Sequence, residues 1–504
     1  MSKLRAYCLA VLLALSCAAQ AVAGKPPKLV LAIVVDQFRY DYLTRFSGDY
    51  HAGLKRLLTE GAVFTNAWYE HYPTVTAVGH STFLSGATPS MSGIVGNEWY
   101  ERETGKVVAS VSDDSVKMLG AAGDGASPRR MLVSTVGDEL KMAGGGAKVV
   151  GISLKDRSAI LPAGHMADGA YWFDPRAGNF VSSTYYFPDL PAWVAEYNAA
   201  RPADHYRGAH WLDHTLPADT SVYAALEGSP FGNELVEAFA ERAMQAEKLG
   251  QRGATDLLAV SFSANDYVGH AVGPDSPDVK EMSIQTDRVL GKLLSFVDAA
   301  VGMGNVLVVF TADHGVAPVP EVNMARRMPG GRMPQGAVRK AVEAALTSKY
   351  GEGKWILGPG ETGFYFNQEL IRQNKLDAAE VERMAADAAR SVAHVFRVYT
   401  REMLLHGAVD LQVGRRVMNG FYAPRGPDMY VLLEPYWLYG TKGTTHSTTF
   451  SYDAHVPVIF MGPGIKTGRF DETIAVNDVA PTLATYLDIE TPSGSVGRCL
   501  TGIF

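Results

Sequence analysis

The chain has 504 residues, 47% of them hydrophobic and 20% charged, with a formal net charge of −7. That length and apolar share are ample for a large packed core and for about two to four domain-sized units. The mild acidic excess leaves no basic footprint, so a nucleic acid is not expected as a partner.

Residues 1–23 read as a secretory signal peptide. Lys3 and Arg5 precede an apolar stretch, and Ala21-Val22-Ala23 stands before Gly24, the pattern of an A-x-A cleavage site. The stretch is too short for a membrane span. A periplasmic or secreted protein is expected. Lipid attachment at Cys17, after Ala14-Leu15-Ser16, is the second reading. Cys8 and Cys17 both fall in this leader, so cleavage leaves only Cys499. One cysteine forms no intramolecular disulfide and no thiolate cluster for a metal. Cys499 is expected to pack.

Residues 24–504 are expected to form the catalytic unit. Five apolar runs follow in order: Lys28–Val35, Ala147–Leu154, Asp256–Phe262, Asn305–Thr311 and Val456–Met461. They are continuous rather than alternating, as in strands buried on both faces of a parallel sheet. Between the third and fourth, Met282, Val289, Leu290, Leu293 and Val297 recur at helical spacing, with Asp278 as the expected N-cap. A late helix is expected after Asn477, with Pro481 in its first turn. The alternation predicts an α/β fold with a mostly parallel central sheet flanked by helices. Segments near 98–146, 160–254 and 318–445 read as insertions forming a cap over one sheet edge. The last carries its own helix around Asp377–Val392.

The runs end in a restricted set of polar residues. The first ends at Asp36. The second ends in Lys155-Asp156-Arg157. The third leads to Asp266 and His270, and the fourth to Asp313 and His314. In open α/β sheets ligands bind at the carboxyl ends of the strands. Four such endings suggest one shared site. Aspartate with histidine is ligand chemistry for zinc or a similar divalent ion. Carboxylates crowding one cleft repel each other, and a cation removes that conflict. A hydroxyl beside zinc ionises near neutral pH and attacks phosphorus. Thr74, Thr76, Ser81 and Thr82 follow the first strand, and a threonine at a helix N-terminus gains from the helix dipole.

Taken in order, these motifs resemble the alkaline phosphatase superfamily, and most closely its PafA-like alkaline phosphatases. The neighbouring branch is the nucleotide pyrophosphatase/phosphodiesterases. The resemblance runs from Asp36 to about Gly464. It is carried by "PTVTAVGHSTFLSGATPSMSGIVGN", "NDYVGH", "TADHG" and "GTTHSTTFSYDAHVPVIFMG". It implies Thr76 as nucleophile and Asn97, 21 residues later, as a phosphate ligand. It implies two zinc ions, one held by Asp36, Thr76, Asp313 and His314, the other by Asp266, His270 and His446. It further implies that Lys155 and Arg157 reach the transferred phosphoryl group and favour a monoester dianion over a diester.

The histidines outside these sets have lesser expected roles. His80 is expected to orient the nucleophile helix and His455 to pack near the site. His51, His71 and His165 are expected to be structural. One departure stands out: "HST" replaces a frequent His-Gly, and Ser447 is expected to confine the backbone to ordinary dihedrals. The expected function is hydrolysis of small-molecule phosphate monoesters by a monomer, through a phosphothreonine intermediate. A phosphodiesterase or nucleotide pyrophosphatase is the alternative. A sulfatase is disfavoured by Thr76-Ala77-Val78. A zinc-binding protein without turnover is the reading from another class.

Overall fold

The computed structural model describes residues 26–504. The leader, with Cys8 and Cys17, lies outside the described residues. Cys499 is free and half-buried. Among the described residues, no helix is long and apolar enough to cross a membrane.

The centre is an eleven-stranded sheet. Its strands in chain order are β1 (Leu29–Val35), β2 (Ala62–Trp68), β3 (Ser112–Leu119), β4 (Asp124–Ala126), β5 (Val149–Ser153), β6 (Gly169–Asp174), β7 (Asn179–Ser183), β8 (Asp256–Phe262), β9 (Val306–Thr311), β10 (His455–Met461) and β11 (Gly468–Ala475). Their spatial order is β11-β2-β10-β9-β1-β8-β5-β6-β7-β3-β4. The middle strands β9, β1, β8, β5 and β6 are mutually parallel. Every residue of β1, β5, β8 and β9 is buried, which explains their continuous apolar sequence. Each fully buried Val, Leu or Ile there contributes about 1.5–3 kcal/mol.

Two expectations about the sheet need correction. The run Val456–Met461 forms β10, which pairs antiparallel with both β9 and β2. Its composition alone carries no direction. Strands β3 and β4, and β6 and β7, lie in segments expected to cap the sheet. They extend its far edge instead, because β6 and most of β7 are buried sheet positions. The segment 318–445 does build a separate layer. It holds a four-stranded sheet and the helices Ala337–Tyr350 and Ala378–Arg390, with Asp377 as the N-cap of the latter, packed around their own apolar cluster.

Five helices bear on the site: α1 (Thr76–Ser85), α2 (Asp156–Ala163), α3 (Ala264–Val272), α4 (Pro277–Val301) and α5 (Val479–Leu487). In α4 the five predicted apolar positions are buried. Its N-cap is Ser276, whose hydroxyl accepts the Asp278 N–H at 3.1 Å. Asp278 therefore sits inside the first turn, because Pro277 fits the position after a serine cap. Pro481 falls in the first turn of α5, as expected.

The register sets the site's location. Val35 of β1 pairs with Phe262 of β8, Val34 with Thr311 of β9, and Ser261 with Ser153 of β5. Four parallel strands thus end side by side. The antiparallel β10 begins at that edge, with Val458 opposite Thr311. Trp68, ending β2, lies opposite His455. The loops before α1 and before β10 therefore reach the same edge.

Candidate active site

Asp36 directly follows β1 and is fully buried. One carboxylate oxygen accepts the Ser261 hydroxyl at 2.7 Å, and the other accepts Lys155 Nζ at 3.1 Å. Asp313 follows β9, with Oδ1 accepting the Gln37 N–H at 3.0 Å. Asp266 and His270 stand one turn apart on α3, with His270 Nε2 3.2 Å from Asp266 Oδ1. His446 enters on the loop before β10, its Nε2 3.8 Å from the same oxygen.

Three imidazoles are oriented alike. Nδ1 of His270 bonds the Thr444 carbonyl at 2.8 Å, Nδ1 of His314 the Gly315 carbonyl at 2.9 Å, and Nδ1 of His446 the Thr74 carbonyl at 2.7 Å. A carbonyl only accepts, so each Nδ1 carries a proton and each Nε2 faces the cluster. The His314 and His446 rings stack at 3.6 Å.

The residues fit divalent cations. Asp266, His270 and His446 bring one ligand atom each within 4.8 Å of one another. Asp313 Oδ2 and His314 Nε2 are 3.2 Å apart. Both are buried and, among the described residues, lack a hydrogen-bond partner, an arrangement that costs free energy unless a cation meets it. Burial would lower His314, yet the adjoining Asp313 carboxylate raises it to about 9. Burial would raise Asp266, yet Lys155 and His270 hold it well below the usual carboxylate range. Burial, with His314 and His270 nearby, pushes His446 well down. The pocket is strongly anionic and calls for positive charge.

Lys155 answers part of that call. The resemblance sends its ammonium to a phosphoryl group. Here it bridges one carboxylate of each ligand set, at 3.1 Å from Asp36 Oδ2 and 2.6 Å from Asp266 Oδ2. Buried carboxylates draw the nearest cation. Asp156, expected to pair elsewhere, accepts the Arg157 N–H and lies 3.6 Å from its guanidinium.

Thr76 is the first residue of α1 and is buried. The hydroxyls of Thr74, Ser81 and Thr82 donate to the carbonyls of Thr448, Val78 and Ala87. Among the described residues, the Thr76 hydroxyl makes no such bond. Asn97 Oδ1 accepts the Ala77 N–H at 2.8 Å, which caps α1 and leaves the Asn97 amide nitrogen for another partner. His80 Nδ1 bonds the Thr76 carbonyl at 2.9 Å, and its Nε2 lies 2.8 Å from the Ser261 hydroxyl. The ring also stands 3.4 Å from both Asp36 and Asp313. It could complete a ligand group with them, but both nitrogens already have partners.

Two glycines allow this closeness. A Cβ on Gly79 would stand 2.2 Å from the Asp313 carbonyl oxygen, and one on Gly269 would stand 1.9 Å from Gln37 Oε1.

Ser447 requires a correction. It adopts φ 99°, the left-handed region that glycine favours. The loop keeps this conformation because both flanks are pinned. His446 holds the Thr74 carbonyl, and Asp453 Oδ2 accepts the Thr448 N–H at 2.8 Å and its hydroxyl at 2.6 Å. His455 stacks between Tyr40 and Trp68 and bonds the Thr65 carbonyl. His71 is buried and pushed down to about 3 by burial. His165 pairs with Asp138 and the Met131 carbonyl.

Sequence reasoning missed Gln37 and Ser261. Gln37 is buried at φ 60°. Its N–H reaches Asp313, and its side-chain amide donates to Asp266 Oδ1 at 2.6 Å. Its place beside Asp36 was the one available signal. Ser261 lies within an apolar strand and gave none.

Comparison with known proteins identifies the family and the fold. The family described as type I phosphodiesterase/nucleotide pyrophosphatase matches residues 30–455. The chain is 35% identical to alkaline phosphatase PhoV of Synechococcus elongatus, covering 95% of this chain and 93% of that protein. It is also 35% identical to alkaline phosphatase PafA of Elizabethkingia meningoseptica, over 95% and 94%. The crystal structure of PafA superposes with a TM-score of 0.89 at 34% identity, covering 96% of this chain and all of that one. A solved variant of PafA is substituted at one threonine, one asparagine, one lysine and one arginine, the residue types of Thr76, Asn97, Lys155 and Arg157. With the family model matched over residues 30–455 and the fold matched over nearly the full length, the chain belongs to the type I phosphodiesterase/nucleotide pyrophosphatase family.

Proposed function

We propose that this protein is a zinc-dependent alkaline phosphatase that hydrolyses phosphate monoesters through a phosphothreonine at Thr76. The observation that carries the reading is the convergence of two Asp/His ligand groups with Thr76, at the shared carboxyl edge of β1, β5, β8 and β9. Asp36, Thr76, Asp313 and His314 would hold one ion, and Asp266, His270 and His446 the other. Bound there, two divalent cations acidify the nucleophile and the attacking water and stabilise charge on the leaving oxygen.

The chain's own residues do the rest. Thr76 Oγ forms a bond to phosphorus as the ester oxygen opposite departs and takes up a proton. Water then cleaves the phosphothreonine, releasing inorganic phosphate and restoring the hydroxyl. The start of α1 places backbone N–H groups and the positive helix end beside the oxygens of the phosphoryl group. The free amide nitrogen of Asn97 donates to one of them. Arg157 offers a planar fork, and Lys155 would offer a point charge once cations take over its place between Asp36 and Asp266. Together they match a dianion better than a singly charged diester. The family match supports a second reading, a phosphodiesterase on the same scaffold.

Thr76→Ala tests the nucleophile. Turnover should fall at least about 1,000-fold, as expected when a covalent nucleophile is removed, with metal content retained. Rapid quench and mass spectrometry of the native protein should find phosphate on Thr76. Full activity in the variant would take Thr76 out of its role.

A further inference from the structure

A cavity of about 630 Å³ adjoins the site, within the about 300–1,000 Å³ range of small-molecule pockets. Asn97, Arg157 and Ser447 line it, so it opens beside the residues assigned to the phosphoryl group. The rest of its wall comes from separate stretches of chain, with Tyr72, Trp99, Tyr100, Tyr365 and Tyr430 supplying five aromatic rings.

These rings are held in place. Tyr72 meets Tyr430 edge-on at 5.7 Å, and Tyr100 lies 5.5 Å from Tyr365. The Tyr365 hydroxyl donates to the Arg425 carbonyl at 2.9 Å, and the Arg102 guanidinium sits 4.9 Å from its ring centre. Gly358, at φ 68°, lets the bend after Ile356–Leu357 press on Tyr100, where a Cβ would stand 3.0 Å from Tyr100 Cβ. Charge is sparse. Arg157 is the one cation among the lining residues, and Glu98 the one carboxylate.

We propose that this cavity is the leaving-group subsite, and that it selects phosphate esters of uncharged alcohols carrying an aromatic ring. The proposal rests on the phosphatase reading above. A flat ring entering the cavity meets fixed aromatic partners and loses little conformational freedom. Binding away from phosphorus raises kcat/KM when it persists in the transition state. A second anionic group would face Glu98 with the sole lining cation already engaged by the phosphoryl oxygens.

The test compares ethyl phosphate, phenethyl phosphate and para-carboxyphenethyl phosphate on the metal-loaded protein. All three leaving groups are primary alcohols, so the chemistry at phosphorus is alike. Phenethyl phosphate should exceed ethyl phosphate by about 10–100-fold in kcat/KM, and the added carboxylate should remove most of that gain. Tyr100→Ala and Tyr365→Ala should each reduce the phenethyl-to-ethyl ratio. A wild-type ratio near one, or an undiminished ratio in both variants, overturns the proposal. Calorimetric binding of phenethylphosphonate and ethylphosphonate, neither of which can be hydrolysed at its P–C bond, gives the same ratio without turnover. If no ester is hydrolysed, the phosphatase reading falls while the phosphonate ratio still decides the subsite, with equal affinities counting against it.

Discussion

Gln37 bends the chain into the left-handed region, an arrangement that costs a non-glycine residue about 1–2 kcal/mol. The return is a brace. Its backbone N–H holds Asp313 and its side-chain amide holds Asp266, one carboxylate from each ligand group. Partners that orient ligands change metal affinity by about 10–100-fold when removed. Gln37→Ala should therefore weaken metal retention by that factor in a chelator competition titration, with the metal-free protein changed far less in melting temperature. Equal retention would mean that the brace does not act on the ligands. At this scale the sequence was legible where chemistry is rare. Asp36, Asp266, His270, Asp313 and His314 stood out as charged or imidazole groups closing apolar runs. Gln37 and Ser261 did not, because ordinary polar side chains gain meaning only from their partners across the sheet. Ser447 misled for a related reason: its backbone angle is dictated by Asp453 across the loop and by Thr74, far away in sequence.

Helix α1 illustrates how whole elements carry the site. It lies against the loop after β9, and Gly79 permits contact with the Asp313 backbone. Gly79→Ala should force the two apart, destabilising the protein by about 1–3 kcal/mol and weakening the metal retention proposed for Asp313. Thermal melts with and without metal would show both effects, and an unchanged melt in each state would contradict the packing argument. The layer formed by 318–445 has a pH response of its own. Burial raises the Glu382 carboxyl to about 7, while it accepts the Glu402 N–H at 3.1 Å. The fold thus favours the protonated acid. Its stabilising share is complete below the unfolded value near 4.5 and is lost as pH rises through about 7, at most roughly 3 kcal/mol. Glu382→Gln should flatten the stability profile between those limits, and parallel profiles for the two proteins would rule the effect out. The central strands were readable because burial on both faces leaves an unbroken apolar run. The direction of β10 and the membership of β3, β4, β6 and β7 in the sheet were not. Strand direction depends on connections, and β3, β4 and β7 mix polar with apolar residues.

Across the whole molecule, one sheet gathers carboxylates and imidazoles from strands distant in sequence and sets them in a largely buried pocket. Such a pocket is costly without positive charge, which Lys155 supplies in part and the proposed divalent cations would complete. In the proposed function those cations, with Lys155 and Arg157, would match a phosphoryl dianion. Monoester selectivity is therefore the central claim, and it separates this reading from the diesterase reading of the same scaffold. The measurement is kcat/KM for p-nitrophenyl phosphate against bis-p-nitrophenyl phosphate, on zinc-loaded protein lacking residues 1–23, with Lys155→Ala/Arg157→Ala beside it. The account predicts a monoester preference of at least about 100-fold, from two charge-assisted contacts at about 1.5–3 kcal/mol each, with most of it lost in the double variant. A diester preference in the native protein, or equal losses on both substrates in the variant, would contradict it.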